Sequence, residues 1–102
     1  MLARVARYEV EAERIDEAVQ AFGEAAAQIE HLEGFAGGMV LVDPEDGRTM
    51  TVTLWENASV LETSERAAGS ARRQAADAVG GSVLSVEKFE VARELRPRPA
   101  GG

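Results

Sequence analysis

Apolar and polar positions alternate loosely from Leu2 to Val10, around Val5, Tyr8 and Val10, and this spacing predicts a strand. The rhythm then changes. Ile15, Ala18, Val19, Phe22, Ala25, Ala26, Ile29 and Leu32 recur at steps of three and four, which places them all on one face of a helix. Glu11, Glu13, Asp16 and Glu17 lie at or before its first turns, where the helix dipole favours negative charge. Gly34 supplies a left-handed stop, after which Phe35 can fold back on the last turn.

A compact apolar run, Met39-Val40-Leu41-Val42, follows Gly37-Gly38 and is closed by the turn residues Asp43-Pro44-Glu45-Asp46-Gly47. From Thr49 to Trp55 the pattern splits cleanly. Met50, Val52 and Leu54 share one face, and Thr49, Thr51, Thr53 and Trp55 the other. Two such runs joined by a short Asp/Gly turn predict a β-hairpin. Asn57 and Ser59 are both competent helix caps, and Ser59 to Glu62 fits a capping box. The helix they open is rich in small residues (Ala67, Ala68, Ala71, Ala75, Ala76, Ala78), so its apolar face is thin and suits close approach to what lies beneath. Gly69-Ser70 is a candidate kink and Gly80-Gly81 the stop. Ser82 to Val91 reads as a last strand, with Val83, Phe89 and Val91 on one face and Leu84 and Val86 on the other. These elements define one domain over residues 1–91, and the Pro/Gly-rich tail 92–102 is expected to be partly disordered.

The order strand, helix, strand, strand, helix, strand predicts an α+β, ferredoxin-like βαββαβ sandwich. Right-handed crossovers put both helices on one sheet face. The other face would then meet water, yet the strands are apolar on both sides, which a solvated face should not be. Exposing ~400 Å² or more of contiguous apolar sheet is unusual for a soluble monomer. A homodimer closed sheet to sheet removes the difficulty. The competing arrangement is a monomer whose face is covered by the tail or by a ligand, and the tail is a poor apolar cover.

Composition narrows the functions. The chain has 102 residues, 11 basic against 18 acidic, for a net charge of −7. Arg93, Arg96 and Arg98 stand in the tail, so the body is more acidic still. Nucleic acid is an improbable partner for such a surface. Without cysteine there are no disulfides, thiolate metal sites or cysteine nucleophiles. No apolar run is long enough to span a bilayer, and the first residues lack the apolar core of a signal peptide, so a soluble cytoplasmic protein is expected. Ten of the 11 basic residues are arginines, which source-genome bias explains as simply as a need for guanidinium chemistry.

Several segments together resemble the antibiotic biosynthesis monooxygenase-like family of dimeric α/β barrels. They are the strand Arg7-Tyr8-Glu9-Val10, the junction His31-Leu32-Glu33-Gly34-Phe35, the strand Gly37 to Asp43, and Thr51-Val52-Thr53-Leu54-Trp55-Glu56. The resemblance spans roughly Arg4 to Val91. It implies a dimeric α/β barrel with a pocket between helices and sheet, used by some members for cofactor-free oxidation of aromatic polyketides and by others for haem degradation. The haem-degrading branch is similar in supplying an iron-ligating histidine from the second helix, and Ser59 to Val79 contains none. The quinone-forming branch looks to use tryptophan, asparagine, tyrosine and arginine around its substrate. Trp55, Asn57, Tyr8 and Arg72 or Arg73 are residues of those types.

Each candidate also has a structural reading. Trp55 could stack on a planar ligand or fill core or interface. Tyr8 and Asn57 complete the candidate ligand-binding set, although Asn57 is equally a helix cap. His31 is the candidate proton acceptor and the only histidine; it could equally be an exposed residue near a helix end. Glu9, Glu11 and Glu13 could gather a hard cation, but a solvated acidic edge explains them, and no metal or organic cofactor is expected. Arg72 and Arg73 are expected on a solvent face or paired with acids such as Asp77. The function expected is that of a homodimeric cofactor-free monooxygenase for a small aromatic or apolar compound, the alternative being a non-catalytic ligand-binding or accessory module.

Overall fold

The computed structural model describes residues 1–99. Its elements follow the anticipated order: β1 (Leu2–Glu9), α1 (Ile15–Ile29), β2 (Phe35–Asp43), β3 (Arg48–Trp55), α2 (Ala58–Ala78) and β4 (Ser82–Glu90), with a single 3₁₀ turn, Ala12–Arg14, before α1. The four strands form one antiparallel sheet in the order β2-β3-β1-β4, so the chain is an α+β, ferredoxin-like βαββαβ sandwich. Residues 92–99 carry no regular secondary structure, and the remainder of the tail expected to be disordered, residues 100–102, lies outside the described residues.

Local chemistry explains most boundaries. In α1, Ile15, Ala18, Phe22 and Ile29 are buried as their spacing requires, but Val19 sits at the edge of the stripe and stays 43% exposed. Gly34 adopts a φ of 81°, and a Cβ there would collide with Val60, so both backbone and space demand glycine. Asn57 caps α2: its Oδ1 accepts from the Val60 N–H at 3.0 Å, and Ser59 lies inside the helix. The helix runs unbroken through Gly69-Ser70, so the glycine does not split it.

The register corrects one face assignment. β4 pairs with β1 through Tyr8↔Val83 and Arg7↔Ser85, so Leu84 is the extra residue of a β-bulge. The bulge reverses the alternation. Val83 and Val86 therefore share the face of Tyr8 and Ala6, while Phe89, opposite Ala3, lies on the other.

Two apolar clusters anchor the helices. One joins Tyr8, Val10, Ile15, Ala18 and Phe22 to Ala75, Ala76 and Val79; the other joins Ile29 and Trp55 to Leu61 and Ala68. The small residues of α2 thus serve two purposes. Ala75 and Ala76 close the packing at one end, whereas Ala68 and Ala71 border a cavity between the clusters.

Candidate ligand cavity

The β3–β1 register places Thr53 opposite Arg4, Thr51 opposite Ala6 and Thr49 opposite Tyr8, all on the helix-covered side of the sheet. This side is polar where a protein core is usually apolar. The reason is a cavity of about 330 Å³, walled by Phe22, Ala25, Ala26 and Ile29 of α1, Ala68, Ala71 and Arg72 of α2, and Arg4, Tyr8, Thr51 and Thr53 of the sheet. Its size is that of a small-molecule site. Gly37, Gly38, Met39 and Val40 of β2 and the exposed Glu30 at the end of α1 also border it.

Arg4 is 3% exposed, and three α2 groups hold it. Its Nη2 donates to the Leu61 carbonyl at 2.7 Å and to Ser64 Oγ at 3.1 Å, and its Nε lies 2.8 Å from Glu65 Oε2. Its guanidinium carbon stands 5.5 Å from the centre of the Trp55 ring. Neither its Nη1 nor its Nε makes a hydrogen bond, the Nε contact with Glu65 being an ion pair alone. Glu65 also accepts from Arg72, whose Nη1 and Nη2 reach Oε1 at 3.4 and 3.3 Å. One carboxylate therefore serves two guanidiniums, Arg4 through a close ion pair not aligned for a hydrogen bond and Arg72 through two long hydrogen bonds. Burial pulls Arg4 below the ordinary arginine pKa; Glu65 opposes this and the like charge of Arg72 adds to it.

Tyr8 is buried against Phe22, ring centres 4.3 Å apart, with its hydroxyl 3.1 Å from Thr51 Oγ1. Burial raises its pKa, partly offset by its hydrogen bond with Thr51 and by the nearby positive charge of Arg72. The phenol is accordingly neutral near pH 7, a hydrogen-bond donor rather than a base.

Of the candidates read from the sequence, Tyr8 lines the cavity and three others do not. Trp55 is fully buried, edge-on to Phe35 at 5.4 Å, its indole N–H donating to Thr53 Oγ1 at 3.0 Å. Asn57 is occupied as the cap of α2. His31 is exposed in the turn after α1. Arg72 departs from expectation: it turns inward to Glu65, two helical turns back, rather than to solvent or Asp77, while Arg73 is exposed. Arg4 and Glu65 were not among the candidates. The available signal was parity, since Arg4 stands in the Leu2-Arg4-Ala6-Tyr8 series, a charge at an inward position of a central strand. Among the described residues, no group of three His, Asp or Glu side chains is placed to hold a metal ion, and no helix is long and apolar enough to cross a membrane.

The family model described as antibiotic biosynthesis monooxygenase matches residues 1–77. No curated protein sequence matches the chain. Among solved structures, the haem-degrading protein MhuD of Mycobacterium tuberculosis, with two haems in its active site, is similar at a TM-score of 0.74 and 23% identity, over 94% of this chain and 100% of its own. SnoaB of Streptomyces nogalater, a cofactor-independent oxygenase, is similar at a TM-score of 0.69 and 18% identity, over 94% of this chain and 97% of its own.

Proposed function

The chain belongs to the antibiotic biosynthesis monooxygenase family, and from that premise we propose that it works as a homodimeric, cofactor-free oxygenase acting on a small aromatic or apolar compound held between helices and sheet. The observation that carries this reading is the cavity itself. It is mostly apolar, with its hydroxyl and guanidinium donors confined to Arg4, Tyr8, Thr51, Thr53 and Arg72. Its walls would exclude water from an electron-rich substrate anion, leaving dioxygen as the reaction partner. For a doubly benzylic CH₂ the balance closes without a reductant: one oxygen atom becomes the carbonyl and the other leaves with the two hydrogens as water. Haem chemistry has less support, because α2 carries no histidine to ligate iron.

The dimer is part of the same proposal. Met39, Leu41 and Phe89 share the uncovered sheet face and are 54, 45 and 47% exposed, an apolar surface that a second copy would cover. Light scattering on the purified protein tests it, and a stable monomer of 10.9 kDa would contradict it.

A second reading, a non-catalytic ligand-binding or accessory module, is favoured by one observation: the cavity offers no neutral-pH base on its floor, since Tyr8 is held protonated and His31 lies outside. Oxygen uptake with a panel of anthrones and hydroquinones separates the two. The oxygenase reading expects turnover that falls at least ~10-fold in Tyr8→Phe or Arg72→Gln and persists in His31→Ala, a loss of the size expected for removing one positioned donor. No uptake above buffer would favour the binding module.

A further inference from the structure

We propose that the cavity selects an anionic ligand, an aromatic or apolar body bearing a carboxylate or an equivalent oxyanion, with Arg72 and the Tyr8 hydroxyl as the anion-holding pair and Arg4 as the residue that keeps Arg72 available. The inference rests on the cavity being the ligand site and names the chemistry that the site accepts.

The count of charges leads there. Two guanidiniums, Arg4 and Arg72, stand in the cavity wall, and the carboxylate they share is Glu65. The split is unequal. Arg4 takes Oε2 at 2.8 Å, while both terminal nitrogens of Arg72 crowd onto Oε1 at 3.3–3.4 Å, longer than a good charge-assisted hydrogen bond. One carboxylate cannot neutralise two guanidiniums, so the wall keeps an excess positive charge. The Arg72 side chain, held by long hydrogen bonds and only 10% exposed, is poorly compensated by water. The other titratable group at the cavity, Glu30, is exposed at the mouth, where solvent screens it.

The hydrogen-bonding inventory agrees. The Tyr8 phenol stays protonated and beside Arg72, and Thr51 stands next to it. The cavity floor thus combines two guanidiniums with hydroxyls that can turn their O–H groups towards a ligand, which is how a protein receives an oxyanion. The absence of a base on the floor points the same way: this cavity is built to hold a charge that arrives with the ligand, not to create one.

Net charge makes the selectivity diagnostic. A protein carrying −7 repels anions at long range, so any preference for an anion must come from the local guanidinium excess. The test measures binding of 2-naphthoate and of its neutral counterpart 2-naphthamide to the intact protein by titration calorimetry at pH 7 and moderate salt. The expected result is naphthoate tighter by at least ~10-fold, the value of one additional charge-assisted contact. In Arg72→Gln the preference falls to about one. Arg72→Lys restores part of it, and Arg73→Gln, which removes the same net charge from an exposed neighbour, leaves it intact. Circular dichroism and thermal melting verify that each variant is folded.

The failures are distinguishable. Equal binding of both probes, or a preference that survives Arg72→Gln, overturns the anion assignment and leaves the cavity as a ligand site. Binding of neither probe overturns this assignment and the proposed function together.

Discussion

The two faces of the sheet differ in the reverse of the usual sense. Towards the helices, the central strands present Arg4, Tyr8, Thr49, Thr51 and Thr53 beside Leu2, Ala6 and Trp55. Away from them, the same strands present Ala3, Val5, Met50, Val52 and Leu54, with the charged Arg7 paired to Glu87, extended by Met39, Leu41 and Phe89 from the edges. A sheet covered on one side by helices ordinarily buries its apolar residues there and turns its polar ones to water. Here the covered side carries an unusual share of polar groups where it floors a cavity, and the open side is mainly apolar despite the Arg7–Glu87 pair. Each departure from the rule points to something the single chain does not itself supply: a ligand on one side, and on the other, we propose, a second copy.

Disrupting the open face gives the largest expected effect. Leu41 stands on the edge strand β2 with its side chain 45% exposed, so Leu41→Lys should be tolerated by the monomer fold. In a two-fold interface the substitution appears twice, and burying two charges without partners costs several kcal/mol, enough to weaken dimerisation at least ~100-fold. Light scattering across a dilution series should show monomer where the wild type remains dimeric. A variant still dimeric at the same concentrations would mean that the open face is covered by something else.

Next in size is the anchor of the covered face. Arg4→Met keeps the stem of the side chain but strips the Leu61 carbonyl, Ser64 and Glu65 of their partner. Glu65 is 42% exposed and can turn to water, and the Leu61 carbonyl keeps the Ser64 hydroxyl as a donor at 2.7 Å, which limits the loss. Chemical denaturation should show a destabilisation of about 2 kcal/mol, the net value of hydrogen bonds made by a charged group. If Arg4 also holds Glu65 away from Arg72, the same variant weakens naphthoate binding more than naphthamide binding. Equal weakening of both would reduce Arg4 to a structural role.

How far these faces could be read from the sequence depends on whether the determining interaction is local. The hairpin was legible because Met50, Val52 and Leu54 alternate with threonines beside an Asp/Gly turn, all within a dozen residues. Likewise the α1 stripe needs only its own period. The phase of β4 was not legible, because the bulge at Leu84 is a property of its pairing with β1, about 75 residues away, and one extra residue reverses every side chain beyond it. Nor was the Arg4–Glu65–Arg72 group, whose members come from a strand and from positions two turns apart on a distant helix. Tyr8, which lines the cavity, was singled out by residue type. Trp55, picked for the same reason, packs between Phe35 and Arg4 instead, since a strand end next to α2 is also where a large ring is best buried.

A smaller effect, of opposite sign, separates the polar residues that serve the cavity from one that does not. Thr49 is buried at the far end of the covered face, its Oγ1 without a hydrogen-bond partner and its side chain outside the cavity wall. Thr49→Val is nearly isosteric and removes the unsatisfied hydroxyl, so it should stabilise the fold by about 1 kcal/mol and leave ligand binding unchanged. Thr51→Val, by contrast, removes the hydroxyl beside Tyr8 and should weaken ligand binding. If both variants behaved alike, the covered face would be polar for a reason unrelated to the cavity.

The finest distinction is the ionisation of Tyr8, which costs nothing at neutral pH. It is the only tyrosine in the chain, so the phenolate absorbance band reports it alone. Burial favours the neutral phenol, and the folded-state pKa therefore lies above the ordinary value near 10. The linkage has a definite sign. Below about pH 10 the phenol is protonated in both folded and unfolded chains and contributes no pH dependence; above it the unfolded chain ionises first, and stability falls until the folded phenol ionises too. Spectrophotometric titration of the folded protein should give a midpoint above that of free tyrosine, and Tyr8→Phe should flatten the alkaline loss of stability over the same interval. Saturating naphthoate should move the midpoint higher still, because a phenol donating to an oxyanion resists losing its proton. A midpoint unmoved by bound naphthoate would place the anion away from the phenol and leave Arg72 to hold it alone.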